Sequence, residues 1–161
     1  MMRRDRADAT VIRLGGVAAA VGKGLAAGIA GTAAMTVSST FEAKLRGRAS
    51  STAPARAASK VLGVAPVDEI GERRFNTLVH WGYGTGWGAV RGVLAAAGVS
   101  GVPATGLHLA AVWGAEQVVL PATGASGPAT KWEPTEVAVD LWHHVVYAVG
   151  AGLAYAWLDR R

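Results

Sequence analysis

Residues 134–158 read PTEVAVDLWHHVVYAVGAGLAYAWL, apolar apart from a short polar group at Glu136, Asp140, His143 and His144. Glu133-Pro134 suits a helix start. Proline's missing N–H is a donor that the first turn leaves unpaired anyway, and Glu136 then sits near the positive end of the helix dipole. A helix of this length rises about 37 Å, enough to cross a hydrocarbon layer of about 30 Å. Asp159-Arg160-Arg161 follow at once and end the run in water.

The rest of the chain repeats this segregation. Hydrophobic residues make up 51% and charged residues 17%, against about 25% charged in an average soluble domain. The charges crowd into residues 1–23, 42–74, 131–136 and the last three positions, as a bilayer demands, since a charge at its centre costs at least ~2.5–3.5 kcal/mol. Three further segments of spanning length emerge. The first runs over 24–42, rich in Ala and Gly. Its competing reading is a secretory signal peptide, with Arg3, Arg4 and Arg6 ahead of an apolar region and small residues at Ala33 and Ala34. The second runs over 75–98. There the string WGYGTGWG (81–88) alternates like a strand, yet Gly84, Gly88 and Gly92 also form the four-residue spacing that lets membrane helices approach closely. The third runs over 103–121, bounded by Pro103 and Pro121, and the short uncharged link before it predicts an antiparallel hairpin with the second.

The expectation is therefore an all-α fold: one integral membrane domain over 1–161, a transmembrane four-helix bundle with short connections. Such a chain is a multi-pass protein of a bacterial inner membrane. Thr52–Gly63 reads as a short helix in the first loop, capped by Thr52 with Pro54 in its first turn. Ala57, Ala58, Val61 and Leu62 would lie on the membrane surface while Arg56 and Lys60 face headgroups; a plain solvated loop is the other reading. Trp81, Trp142 and Trp157 fall near span ends, where aromatic belts sit. The basic loops suit anionic headgroups, and no interleaved stacking aromatics point to nucleic acid. Orientation is undecided: Arg3, Arg4, Arg6, Arg13, Lys23, Arg160 and Arg161 face eight basic residues on the opposite, loop side. With no cysteine, disulfides, thiolate metal sites and Cys nucleophiles are excluded.

Placed by depth, the polar residues gather towards the loop side. Glu42 closes the first span, His80 lies one turn into the second, Glu116 lies one turn before the third exits, and Asp140, His143 and His144 lie two to three turns into the fourth. Intramembrane ionisable groups are functional candidates by default. A metal site would draw on His80, Glu116, Asp140, His143 and His144, with Glu42 beside them. Imidazole and carboxylate suit iron, manganese or zinc, and Asp140-x-x-His143 has the carboxylate–His spacing of di-iron bundles. Haem between His80 and His143 or His144 is a lesser variant. A proton or ion relay uses the same groups without metal, and the bland alternative is a set of hydrogen bonds that fixes helix register. Arg91 and His108 form a second polar pair nearer the terminal side. Ser38, Ser39 and Thr40 have no obvious base nearby in sequence, and no phosphate-binding loop is present.

The strings Ala33-Ala34-Met35-Thr36, Thr52-Ala53-Pro54-Ala55-Arg56, His80-Trp81-Gly82-Tyr83-Gly84 and Asp140-Leu141-Trp142-His143-His144 resemble small actinobacterial membrane proteins of unknown function. The layout also resembles the YagU-like inner-membrane family, in which a last span bearing aromatics and His precedes a basic tail. Neither resemblance implies a known activity or a catalytic residue. The function expected is thus a membrane protein with an intramembrane His/carboxylate site for a metal ion or protons. The alternative is a non-catalytic accessory or scaffold subunit, forming a homo-oligomer or joining another membrane protein through its glycine-rich helix faces.

Overall fold

The computed structural model of the chain describes residues 2–49 and 51–160, with side chains from Leu14 onward. The basic side chains at Arg3, Arg4, Arg6, Arg13 and Arg161 lie outside the described residues. Within them the fold is all-helical: α1 (Met2–Arg46), α2 (Ala53–Leu62), α3 (Glu69–Ala96), α4 (Gly101–Thr123) and α5 (Pro134–Asp159), with one 3-10 turn at Ala129–Lys131 and no strand. The glycine-alternating run 81–88 is helical. α1 and α5, the former from Leu14 to Arg46, are long and apolar enough to cross a membrane. Among the described residues these are the two helices that meet that condition; polar residues such as His80, Arg91, His108, Glu116 and Gln117 interrupt α3 and α4.

Helix ends follow local chemistry. α3 begins six residues before the expected span because the Asp68 carboxylate accepts from the Gly71 N–H at 2.6 Å, capping the first turn. α1 begins far before residue 24, since a lysine or arginine ends an apolar run without ending a helix. α4 continues past Pro121 to Thr123 and stops at Gly124, whose φ of 65° is the left-handed conformation glycine adopts at helix C-termini. α2 forms as expected with Thr52 at its N-cap, though the threonine side chain makes no capping bond. Its buried face is Ala53, Ala55 and Ala57. Ala53 and Ala57 pack on Leu120, Ala125 and Trp132, while Val61 and Leu62 stay exposed.

α1 is the central element and runs antiparallel to both α3 and α5. Against α3 the register pairs Gly24 with Gly88, Gly28 with Gly84, and Thr36 with His80. Against α5 it pairs Lys23 with Asp159, Ser38 with His143, and Arg46 with Glu136. α4 is antiparallel to α3 but leans chiefly on α5. The α1–α3 seam is backbone against backbone: a Cβ on Gly88 would stand 2.2 Å from the Gly24 carbonyl oxygen, and one on Gly92 2.3 Å from that of Ala20. Such closeness maximises dispersion contact, which drives helix association where no hydrophobic effect acts. This corrects one expectation. The spacing at Gly84, Gly88 and Gly92 is filled by α1 of the same chain, so it offers no face to an accessory partner or a second copy.

A candidate His/carboxylate centre

The seam sets the depth of each polar side chain. On α5, His143 and His144 are consecutive, so they project about 100° apart around the helix. His143 turns to α1 and His144 to α4. The six residues expected in one cluster therefore divide into two groups, and His80 belongs to neither.

The inner group is Glu116, Asp140 and His144. One ligand atom from each lies within 4.8 Å of the others, and among the described residues this is the one set of three with that geometry. His144 Nδ1 sits 2.9 Å from the backbone carbonyl oxygen of Asp140. A carbonyl only accepts, so Nδ1 carries a proton, and in the neutral ring Nε2 presents its lone pair. That lone pair stands 3.1 Å from Glu116 Oε2, an oxygen sealed from solvent that receives no hydrogen bond. At this distance either a proton, carried by His144 or by Glu116, or a metal cation lies between the two atoms. Nitrogen and oxygen ligands held about 2.0–2.2 Å from one metal ion stand roughly 3.0–3.4 Å apart at bond angles near 90–110°. Asp140 is the third member: its Oδ2 accepts from the Trp113 indole N–H at 2.9 Å, which fixes the carboxylate, while Oδ1 lies 3.8 Å from His144 Nδ1, on the protonated side of the ring. This is the outer support a metal-binding carboxylate needs.

The outer group is Ser38, Glu42 and His143. Ser38 Oγ and His143 Nδ1 are 2.9 Å apart, and His143 Nε2 lies 3.6 Å from Glu42 Oε2 without hydrogen-bond geometry. Glu42 is committed elsewhere: Oε1 accepts from Arg46 at 3.1 Å and from Arg48 Nε at 3.0 Å, and Oε2 pairs with Arg48 Nη2. A carboxylate held by two guanidinium groups is a poor metal ligand, so Glu42 and His143 leave the expected ligand set. His80 leaves it too. Thr36 spends its one O–H proton on the Thr32 carbonyl at 2.7 Å, so at 2.8 Å it accepts from His80 Nε2–H. The bond ties α3 to α1. Haem does not fit: two of the three expected axial histidines are held by Thr36 and Ser38, and the interlocked seam leaves no slot for a macrocycle.

Arg91 and His108 are both buried, at 3% and 0% exposure, and each contacts a different neighbour. His108 Nε2 donates to the Trp87 carbonyl at 3.0 Å, and its ring lies 5.5 Å from that of Tyr147. Tyr147 in turn donates to the Gly84 carbonyl at 2.6 Å. Arg91 stacks 4.4 Å over the Tyr155 ring. Trp113 and Thr36 had no role in the sequence reading, and Ser38, which has no base nearby in sequence, meets His143 across the bundle. For Trp113 there was a signal, because a buried indole N–H usually finds an acceptor; for the hydroxyls there was none.

No protein-family model matches the chain, and no curated protein or solved structure is significantly similar to it.

Proposed function

We propose that this chain is a multi-pass inner-membrane protein, its four long helices forming a transmembrane bundle, that binds a divalent transition-metal ion through Glu116, Asp140 and His144. The observation that carries the metal reading is the 3.1 Å approach of two acceptors, Glu116 Oε2 and His144 Nε2, in an interior position. One imidazole and two carboxylates suit zinc, manganese or iron, and three protein ligands leave positions for water or substrate. The ion would supply Lewis acidity or an activated water. The chain's own contribution is to hold Asp140 through Trp113 and the His144 tautomer through the Asp140 carbonyl.

Burial supports the membrane half of the reading. The largest fully buried side chains are Tyr147, His108 and Thr32, whereas Ile29, Val37, Phe41, Leu78, Leu107, Val118 and Leu153 are exposed. In water that distribution would leave a large apolar surface and an interior poor in aliphatic packing. In a bilayer it is the expected one, with apolar groups on lipid and small or polar groups between helices.

Elemental analysis of protein purified in detergent tests the site. One equivalent of zinc, manganese or iron is expected in the wild type and its loss in His144→Ala and Glu116→Gln, with His80→Ala keeping its metal. Metal-free wild-type protein that stays metal-free on titration would refute the reading. A second reading, a shared proton in the same gap, draws on the same distance: Glu116 and His144 could exchange a proton without rearrangement. Nitrogen-15 spectra of His144 separate the two, since a metal fixes the Nε2 shift across pH and a proton does not.

A further inference from the structure

The hydroxyls of α1 near the centre differ in where their protons go. Thr32 donates to the Gly28 carbonyl, Thr36 to that of Thr32, and Ser39 to that of Thr36. Ser38 bonds no helix carbonyl. Among the described residues its Oγ has one partner, His143 Nδ1, 2.9 Å away on α5. A hydroxyl with a single acceptor beside it gives its proton there, so Nδ1 is the unprotonated ring nitrogen and Nε2 carries the N–H. Nε2 faces Glu42 Oε2 at 3.6 Å, where an N–H meets a carboxylate favourably and a lone pair would not. Arg46 and Arg48 hold that carboxylate in place. Two helices thus set a hydroxyl, an imidazole and a carboxylate in the order nucleophile, base and orienting acid. The 3.6 Å separation is longer than a hydrogen bond, and such contacts tighten as the reaction charges the ring.

We propose that Ser38 is a nucleophile for activated acyl esters, with His143 as its base and Glu42 as a positioning residue for the ring. Ser38 Oγ attacks the ester carbonyl carbon while its proton passes to His143 Nδ1. The tetrahedral intermediate expels the leaving group, which takes that proton, and an acyl ester remains on Ser38. Water then attacks the acyl carbon, loses a proton to Nδ1, and releases the carboxylic acid as that proton returns to Oγ. The group can be reached from the loop side. Side-chain exposure rises from 7% at His143 through 16% at Glu42 to 46% at Glu136, and Ser38 itself is half-buried. Phe41, one turn on from Ser38, is exposed and offers an apolar surface to an acyl group. The backbone N–H groups around Ser38 are spent inside α1, so the helix supplies no oxyanion hole. The reactive class is therefore esters with good leaving groups.

This activity goes beyond the metal reading and does not depend on it. The test uses full-length protein in detergent with a chelator present, so that a metal at Glu116 contributes nothing. A fluorophosphonate probe and para-nitrophenyl butyrate are added to separate samples, and adducts are mapped by peptide mass spectrometry. Both should modify Ser38, with para-nitrophenol released as the butyryl adduct forms. Ser39 should stay unmodified, since its proton is spent on Thr36. Labelling should fall about 100-fold or more in His143→Ala and recover in part on adding imidazole, which a merely structural His143 would not allow. Glu42→Gln should slow labelling less and move the nitrogen-15 signals of His143 towards the Nδ1–H tautomer. An unchanged rate and tautomer there would remove Glu42 from its role. A wild-type Ser38 that reacts with neither probe would overturn the proposal, and this arm needs no variant. So would equal modification of Ser38 and Ser39, or undiminished labelling in His143→Ala.

Discussion

Two glycines on α3, two residues apart, should respond oppositely to the same substitution. A Cβ at Gly88 would meet the Gly24 carbonyl oxygen at 2.2 Å and the Gly28 Cα and N at 2.7 Å, all backbone atoms that cannot rotate away. Ordinary contact begins near 3.4 Å, so α1 and α3 must separate by about 1 Å where they now interlock. Overpacking of this kind costs about 1–3 kcal/mol. Separation also strains the Thr36–His80 bond at 2.8 Å, and an interhelical bond of this kind contributes about 0.6 kcal/mol in membranes. Against this stands the gain of about 1 kcal/mol when alanine replaces a helical glycine. Gly88→Ala should therefore destabilise by about 0.5–2.5 kcal/mol.

Gly86 has nothing within 4 Å of its Cβ position and lies on the outer face of α3. Gly86→Ala should capture only the propensity gain, stabilising by up to about 1 kcal/mol. The two variants thus differ by up to roughly 1.5–3.5 kcal/mol, with identical composition and nearly identical position. Reversible unfolding by dodecyl sulfate from mixed micelles, followed by circular dichroism, measures the difference directly. Equal stability of the two variants would refute the intrachain seam. It would return Gly88 to the role of an outward face available to a partner.

Trp113→Phe removes the indole N–H that holds Asp140 Oδ2 at 2.9 Å while keeping an aromatic ring in place. Metal affinity, measured by competition with a chelator, should fall about 10- to 100-fold, the usual cost of losing an outer support; unchanged affinity would remove Asp140 from the ligand set. Thr36→Val and His80→Ala should each cost about 0.6 kcal/mol or somewhat more, and their double-mutant cycle should show coupling, because one bond joins them. Both variants should keep full metal content, and a loss of metal in His80→Ala would place His80 back at the centre.

The sequence carries the helices more clearly than their neighbours. Hydropathy and proline placement locate α4 and α5 to within a few residues and α3 save for its first six, but they delimit the apolar part of α1 rather than the helix, since charge and helix propensity are separate properties. The run 82–92 holds two interleaved glycine series: Gly82 and Gly86 on one face, and Gly84, Gly88 and Gly92 on the other. Spacing alone does not say which series meets a helix. The discriminating signal lay in α1, where Gly24 and Gly28 repeat the same interval and supply the matching surface. The centre shows the same limit at single-residue resolution. Asp140 was legible as an inward carboxylate and Glu116 less so, since its face of α4 is no seam of small residues, whereas the choice between His143 and His144 depends on the rotation of α5. Gly31 of α1 packs against Tyr147 and Ala151, and Gly152 meets Thr105 of α4. Those contacts fix the rotation and turn His143 towards Ser38 and His144 towards Glu116. A centre that needs one imidazole beside two carboxylates is thus assembled by glycine contacts one to three turns away on α5. Enlarging Gly152, whose Cβ would meet Thr105 Oγ1 at 2.7 Å, should disturb the site without touching any ligand.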